Sequence, residues 1–528
     1  MEAQVIFIIV MVFIISILTM LANKMRIAYP VLLVVAGLFI SFLPMIPRIS
    51  IDPGLIFYIF LPPLLFQSAV ALPLKDVLRW KRVILSFAFL VVLLTAAGVG
   101  LLTSWMIPGM TFALGMVLGG IVSSTDAVSA TTIMHQVKVP SRVSTILEGE
   151  SMLNDASSLI TFSFALIAVQ TGQFVWHQAI LSFCWMVAGG AIIGILVGAA
   201  FVYMHKLLPM DSNVTIVFTM IAPYLMYIMA EAAGASGVLG VVCGGFYMSQ
   251  HLDALDSSSH LLGSSVWDKT VFILNGFAFL MIGLDLPEIV SGIEADGISV
   301  IRATFYGLAI TALIMALRML NAYLAIPISR IRREKMHLEE KHLIVDSPTS
   351  FVIGWCGMRG VLSLAAALSI PLLTPSGEAF PQRSMILDCS FIVILATLLI
   401  QGLTLPLLLK HIHFPKYHDH INESEARDII LRGLAECSLE YIKKNPQVIE
   451  NDDVMKYIMK HFQSLLEREK AQSLLYGAST TYHHILEKQR SYLFSLNKKH
   501  PGIDEELIRH YIRRIDLEDE RLKSERRN

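Results

Sequence analysis

From Val5 to Ala22 the chain carries no charged side chain, and Lys24 and Arg26 then interrupt it. The same alternation continues through about three-quarters of the sequence. Apolar runs of about 20 residues, the length that crosses a hydrocarbon core roughly 30 Å thick, are separated by short polar segments. The pattern predicts thirteen membrane spans, at roughly 4–22, 28–46, 53–72, 83–106, 111–136, 144–169, 178–204, 213–231, 234–250, 268–285, 298–327, 350–371 and 385–410. The first run has no basic segment ahead of it, as expected of a retained helix with its amino end outside rather than a cleaved signal. Alternate loops hold Lys24/Arg26, Lys75/Arg79/Lys81/Arg82, Lys138/Arg142, Lys206 and Arg330/Arg332/Arg333/Lys335/Lys341, while the intervening ones offer little beyond Arg48 and Arg383. Because basic loops stay on the cytoplasmic side, an odd helix count puts the carboxyl tail in the cytoplasm.

Four stretches break the apolar pattern. In the third span, Phe60-Leu61-Pro62-Pro63-Leu64-Leu65-Phe66-Gln67 contains a proline pair that an unbroken helix does not accept. In the fifth, Gly119-Gly120-Ile121-Val122-Ser123-Ser124-Thr125-Asp126-Ala127 favours a locally unwound or capped backbone. Asp126 there suits either an ion site or a half-helix cap. In the sixth, Leu147-Glu148-Gly149-Glu150-Ser151-Met152-Leu153-Asn154-Asp155 places carboxylates in a run otherwise fit for the bilayer, where each costs about 2.5–3.5 kcal/mol on insertion scales. Residues four apart share a helix face, so Ser151 and Asp155 form one polar row and Glu150 and Asn154 the adjacent one. The first row is read as the cation-ligating row and the second as its support. In the twelfth, Gly354-Trp355-Cys356-Gly357-Met358-Arg359-Gly360 combines packing glycines with a buried guanidinium.

The fifth and twelfth spans lie seven helices apart, an odd offset that gives two repeats opposite orientations. Interrupted helices at matching places in two halves point to a midplane transport site. Arg318 adds a second buried cation, so Glu150, Asp155 and Asp126 face Arg318 and Arg359. One acid is left without a basic partner, and an external cation or a proton is expected to compensate it.

Composition narrows the rest. Of 528 residues, 55% are hydrophobic and 16% charged, which excludes an ordinary soluble protein. Nearly half of the charge, 20 Lys/Arg and 20 Asp/Glu, falls after position 412. Residues 1–412 are therefore read as a transmembrane domain and 413–528 as a cytoplasmic helical tail with a regulatory role and an unassigned partner. Its amphipathic stretches run from Ala426 to Lys443, Val454 to Glu469 and Ile503 to Leu522. A net charge of −1 excludes a nucleic-acid footprint. Cys184, Cys243, Cys356, Cys389 and Cys437 are not at motif spacings and are expected to be free thiols. His411, His413, His418 and His420 read as surface histidines. No nucleophile–base set, metal cluster or phosphate loop argues for an enzyme.

Taken together, Phe60–Gln67, Ser124-Thr125-Asp126, Glu150-Ser151-Met152-Leu153-Asn154-Asp155 and Gly357-Met358-Arg359-Gly360 resemble the sodium/proton exchanger branch of the monovalent cation:proton antiporters, and its bacterial members most of all. The resemblance implies an all-α homodimer whose protomers carry thirteen helices in two inverted repeats, with two unwound crossing helices and an elevator-like motion. It implies that Asp155 is the carboxylate shared by cation and proton, that Ser151 ligates by its side chain and that Thr125 ligates by its carbonyl. Asp126 would lie beside Thr125, Asn154 would support Asp155, Glu150 would pair with Arg318, and Arg359 would stabilise the region. The family often has an acid where this chain has Gln67, which makes Gln67 a neutral lining residue and argues against a third carboxylate ligand.

The expected activity is exchange of Na⁺, Li⁺ or K⁺ for H⁺ across the bacterial inner membrane, one for one, by competition for Asp155, without ATP or cofactor. Two other classes use buried carboxylates. A cation channel more often places them as rings around a pore, and a pH or ion sensor on the same membrane domain would use the tail as output.

Overall fold

In the computed structural model the described residues are 2–25, 28–42, 56–134, 139–172, 176–208, 211–251, 257–284, 299–336, 346–375, 377–415, 515 and 517. The helices in chain order are α1 (Glu2–Met25), α2 (Tyr29–Ser41), α3 (Leu61–Ala71), α4 (Leu74–Leu85), α5 (Val92–Met106), α6 (Phe112–Ser123), α7 (Ala127–Met134), α8 (Ser141–Thr171), α9 (Trp176–Leu207), α10 (Ser212–Ala232), α11 (Gly237–Ser249), α12 (Ser257–Leu284), α13 (Val300–Met336), α14 (Ser347–Trp355), α15 (Val361–Leu368) and α16 (Arg383–His411). Among the described residues there is no strand, only an isolated bridge between Leu373 and Ala379. The chain divides into two compact units, Met1–Tyr417 and His418–Asn528. Of the second, only Ile515 and Leu517 are described, both helical, and the other amphipathic stretches lie outside the described residues.

Among the described residues, eight segments are long and apolar enough to cross a membrane: Leu74–Met106, Phe112–Met134, Ser141–Thr171, Ala179–Leu207, Ser212–Ala232, Leu262–Leu284, Val300–Pro327 and Arg383–His411. Shorter apolar helices accompany them at Ile6–Ala22, Tyr29–Ser41, Phe57–Ala71 and Gly237–Ser249. The unit is a multi-pass membrane protein. Its outer helices bare large apolar side chains, Ile180, Leu181, Trp185 and Leu196 on α9 among them, as a lipid-facing surface requires.

Helix packing follows small residues. Gly190, Gly194 and Gly198 of α9 recur every four positions and meet, backbone to backbone, Ser236 at the N-cap of α11 and Gly240 and Gly244 within it. Closer to the crossing described below, Gly119 of α6 abuts Ala96 of α5, and Gly120 abuts the backbone of Phe162 on α8. A methyl at either position would push α6 off one of its two neighbours.

Two local expectations change. The charges of Lys75, Arg79, Lys81 and Arg82 predict a loop, but these residues belong to α4, which turns Val77, Trp80 and Ile84 inward and continues through a π-helical stretch, Ser86–Val91, into α5. The apolar spacing of i, i+3 and i+7 carries the helix through a run whose charges alone suggest a loop. Trp80 receives the Arg142 guanidinium at 5.4 Å from its ring centre. The proline pair changes the helix type rather than breaking the helix, since Phe60 keeps helical angles (φ −91°, ψ −43°) and the chain stays helical from Ile56 to Ala71. Ile56–Phe60 is π-helical, and Pro62 and Pro63 occupy the first turn of α3, where a missing N–H removes no helical bond.

Candidate ion-binding site

Two spans are interrupted in the middle. The first runs as α6, the break Ser124–Asp126, and α7; the second as α14, the break Cys356–Gly360, and α15. Ser124 is extended (φ −62°, ψ 138°), and Cys356 leaves the helix at φ −76°, ψ 66°. The breaks touch. The Asp126 N–H donates to the Met358 carbonyl at 2.7 Å, and Arg359 Nε donates to the Val122 carbonyl at 2.7 Å.

Each interruption strips backbone groups of their helical partners, and side chains of opposite sign satisfy them. At the carboxyl end of α6 the partner is Arg359, which is 2% exposed, also donates to the Gly357 carbonyl, and whose own N–H reaches Thr397 Oγ1 at 3.2 Å. At the carboxyl end of α14 the partner is Arg318, which donates to the carbonyls of Ile353 and Cys356, each at 3.1 Å. At the amino end of α7 it is Asp126: Oδ1 accepts from the Val128 N–H at 2.9 Å and Oδ2 from the Ser129 hydroxyl at 3.2 Å. The glycines of the twelfth span have distinct neighbours. Gly354 admits Met319 and Ala322 of α13, while Gly357 lies against the Arg318 side chain and Gly360 against that of Asp126.

Helix α8 runs past the crossing and presents its two polar rows differently. Glu150 and Asn154 are buried, at 1% and 0% exposure, and Ser151 and Asp155 are only half-buried because they line a cavity of about 80 Å³. Glu150 holds Arg318 in a two-pronged ion pair, 2.5 Å from Oε1 to Nη1 and 2.9 Å from Oε2 to Nη2. Asn154 Nδ2 donates to Thr125 Oγ1 at 2.5 Å, so its amide holds the first break rather than Asp155. Thr125 Oγ1 in turn lies 3.4 Å from Glu150 Oε1. Ser151 Oγ donates to the Thr125 carbonyl at 3.0 Å and accepts from the Ala127 N–H at 3.2 Å. Asp155 Oδ1 accepts the Ser124 hydroxyl at 2.5 Å, and Asp155 has no ion pair among the described residues.

The structure therefore brings Asp155, Ser151 and Asp126 to one cavity, with Ser124 beside them, and ties Thr125 and Asn154 in just behind. Gln67 is not on the lining. Leu61, Leu64, Leu65 and Ser68 form the face of α3 that meets the cavity, and the helical offset turns Gln67 away, where its amide donates to Asp268 Oδ1 at 3.2 Å. Three polar groups were overlooked in the sequence. Ser124 sits in a quoted motif, but which of two adjacent serines faces Asp155 depends on how the break turns. Asn275 is a polar residue in the apolar run 271–284 and lines the cavity. Asp388, 4% exposed and near the start of α16, is a further buried acid in the membrane unit, in addition to Glu150, Asp155 and Asp126. Cys184, Cys243, Cys356 and Cys389 are free, and Cys437, His418 and His420 lie outside the described residues.

Interrupted helices crossing inside a membrane domain, with their ends matched to buried charges, define a transporter-type fold. The profile described as sodium/hydrogen exchanger, transmembrane, matches residues 9–411, and the chain belongs to that family. It is 32% identical over 387 residues, 72% of this chain, to a sodium, potassium, lithium and rubidium/H(+) antiporter of Bacillus pumilus. The counterpart of that protein in Bacillus subtilis is 31% identical, and the chain spans 57% of the length of either Bacillus protein. A low-affinity Na(+)/H(+) antiporter of Synechocystis sp. is 28% identical over 73% of this chain and 69% of its own. The structure matches that of a sodium proton antiporter from Methanocaldococcus jannaschii with a TM-score of 0.62 at 20% identity, over 78% of this chain and 99% of that one, which is a shared fold.

Proposed function

We propose that the protein exchanges Na⁺, or Li⁺ or K⁺, for H⁺ across the bacterial plasma membrane, one for one and without a cofactor, and that both ions compete for Asp155. The observation that carries this reading is a carboxylate facing a partly open cavity at a helix break, with a serine hydroxyl as its hydrogen-bond partner and no ion pair among the described residues. A bare carboxylate is costly there, so the site is neutralised by a proton or by a small cation. The groups around it suit the exchange. The Ser124 and Ser151 hydroxyls donate to Asp155 and to the Thr125 carbonyl, and rotating either one presents an oxygen lone pair in place of a proton. A cation would then be held by Asp155, Ser151 and the Thr125 carbonyl, with Asp126 contributing charge nearby.

One exchangeable carboxylate supports a single charge per cycle. Glu150 is committed to Arg318, the Asp126 oxygens are engaged at the amino end of α7, and the neighbour of Asp155 is the neutral Asn154. The names of the Bacillus and Synechocystis relatives agree with this substrate class. The same reading includes thirteen spans in two inverted repeats, a homodimer, elevator-type alternating access, and a cytoplasmic tail at 413–528 that regulates transport. The test is dequenching of a pH dye in everted vesicles on adding each alkali cation, with and without a membrane potential. Saturable, cation-specific dequenching insensitive to the potential is expected. Flux that does not saturate, or single-channel currents, would replace exchange with a channel.

A further inference from the structure

The cavity that Asp155 faces has a second wall. Ser124, Asp126, Ser151 and Asp155 come from α8 and the first break, whereas Ser68 of α3 and Asn275 of α12 enter the same cavity from other helices, among apolar neighbours such as Phe60 and Phe279. Asn275 is 4% exposed. Its flanks, Ile273-Leu274 and Gly276-Phe277-Ala278, offer it no polar side chain, and its amide makes no hydrogen bond to another described residue. Its amide atoms keep accessible surface on the cavity, so what they lack is a protein partner rather than room for a ligand. The polar side chains behind the Asp155 wall bond largely to one another, Asn154 to Thr125, Ser151 to Thr125 and Glu150 to Arg318, and Asn154 Oδ1 is buried without a partner. The Asn275 amide therefore stands on the cavity wall with no protein partner, and its carbonyl oxygen is a hard, neutral donor of the kind alkali cations take.

We propose that Asn275 is a specificity-determining residue of the ion site: its amide oxygen meets the cation or the cation's retained water across the cavity from Asp155. The inference rests on the exchange reading above and extends it to α12. A neutral oxygen on a separate helix adds affinity without adding a titrating group. Because its position is set by how α12 packs rather than by α8, it discriminates cations by size.

The experiment compares wild type, Asn275→Ala and Asn275→Asp in reconstituted vesicles, reading initial rates of dye dequenching against Na⁺, Li⁺ and K⁺, with Asp155→Asn as reference. Asn275→Ala is expected to raise the apparent KM for the best cation roughly tenfold and to change the ratio of KM values between cations, while the maximal rate stays within about twofold. Asn275→Asp, which keeps the shape and an acceptor oxygen, is expected to hold KM at or below the wild-type value and guards against a folding failure of the alanine variant. Active wild type with KM values and cation ratios unchanged in Asn275→Ala overturns the inference and leaves the exchange reading standing, as does an equal loss for every cation, which is a structural effect. Wild type that exchanges no alkali cation overturns both.

Discussion

Removing the Arg318 side chain is the sharpest structural perturbation available. Glu150 and Arg318 are 1% and 3% exposed and form a two-pronged pair at 2.5 and 2.9 Å, while the same guanidinium satisfies the Ile353 and Cys356 carbonyls at the end of α14. Arg318→Met leaves a buried carboxylate with no counter-charge, a change worth about 3–5 kcal/mol when one partner of a buried pair is removed. It also leaves two carbonyls unpaired, each costing about 1–3 kcal/mol, and these losses overlap rather than add. The expected shift is thus a factor of at least about 10² in the folding equilibrium. Thermal unfolding of purified protein in detergent, followed by monodispersity on size exclusion, reads it directly. The double variant Glu150→Gln with Arg318→Met removes both charges and should be less destabilised than the sum of the singles by about 1–3 kcal/mol. The exchange of the two charges, Glu150→Arg with Arg318→Glu, should likewise outperform either change alone. Single variants as stable as wild type would refute the claim that this pair holds the second break against α8.

Four further outcomes follow from the same geometry. Asp155→Asn should abolish cation-driven dequenching while the protein still folds, and residual exchange would remove Asp155 from the mechanism. Asn154→Ala frees Thr125 from its 2.5 Å bond and should destabilise by about 1–3 kcal/mol with a weaker apparent cation affinity, measured by melting and by KM. Gly360→Ala puts a methyl 2.7 Å from the Asp126 Cβ, and such overpacking, worth about 1–3 kcal/mol, should lower both melting temperature and rate. Lowering the pH should raise the KM for the cation without lowering the maximal rate at saturating cation, because the proposed exchange has protons and cations share one group; a pH-independent KM would contradict the competition.

The architecture was written plainly where composition changed sharply. The Gly119–Asp126 and Gly354–Gly360 stretches are the positions of the two interruptions, because glycine, serine and aspartate compete with helical backbone bonds in a way that no apolar neighbour does. The amphipathic α4 was hidden by its own charges, and only the inward turn of Val77, Trp80 and Ile84 explains it. At the site, helical offset alone separates the Ser151/Asp155 row from the Glu150/Asn154 row. What the offset cannot supply is which side chain from elsewhere meets each row. Ser124 reaching Asp155, Asn154 reaching Thr125 instead of Asp155, and Asn275 entering from α12 all depend on how separate helices pack. Gln67 shows the converse, since one step along α3 takes it off the cavity and onto Asp268.

The competition for Asp155 is tested most directly by counting the protons released per Na⁺ bound, from titration calorimetry of the purified protein in buffers of different ionisation enthalpy. The proposed exchange predicts a release that rises to about one proton per cation as the pH is lowered into the range where the site is protonated, and neither heat nor protons from Asp155→Asn. Sodium binding that releases no proton at any pH would contradict it.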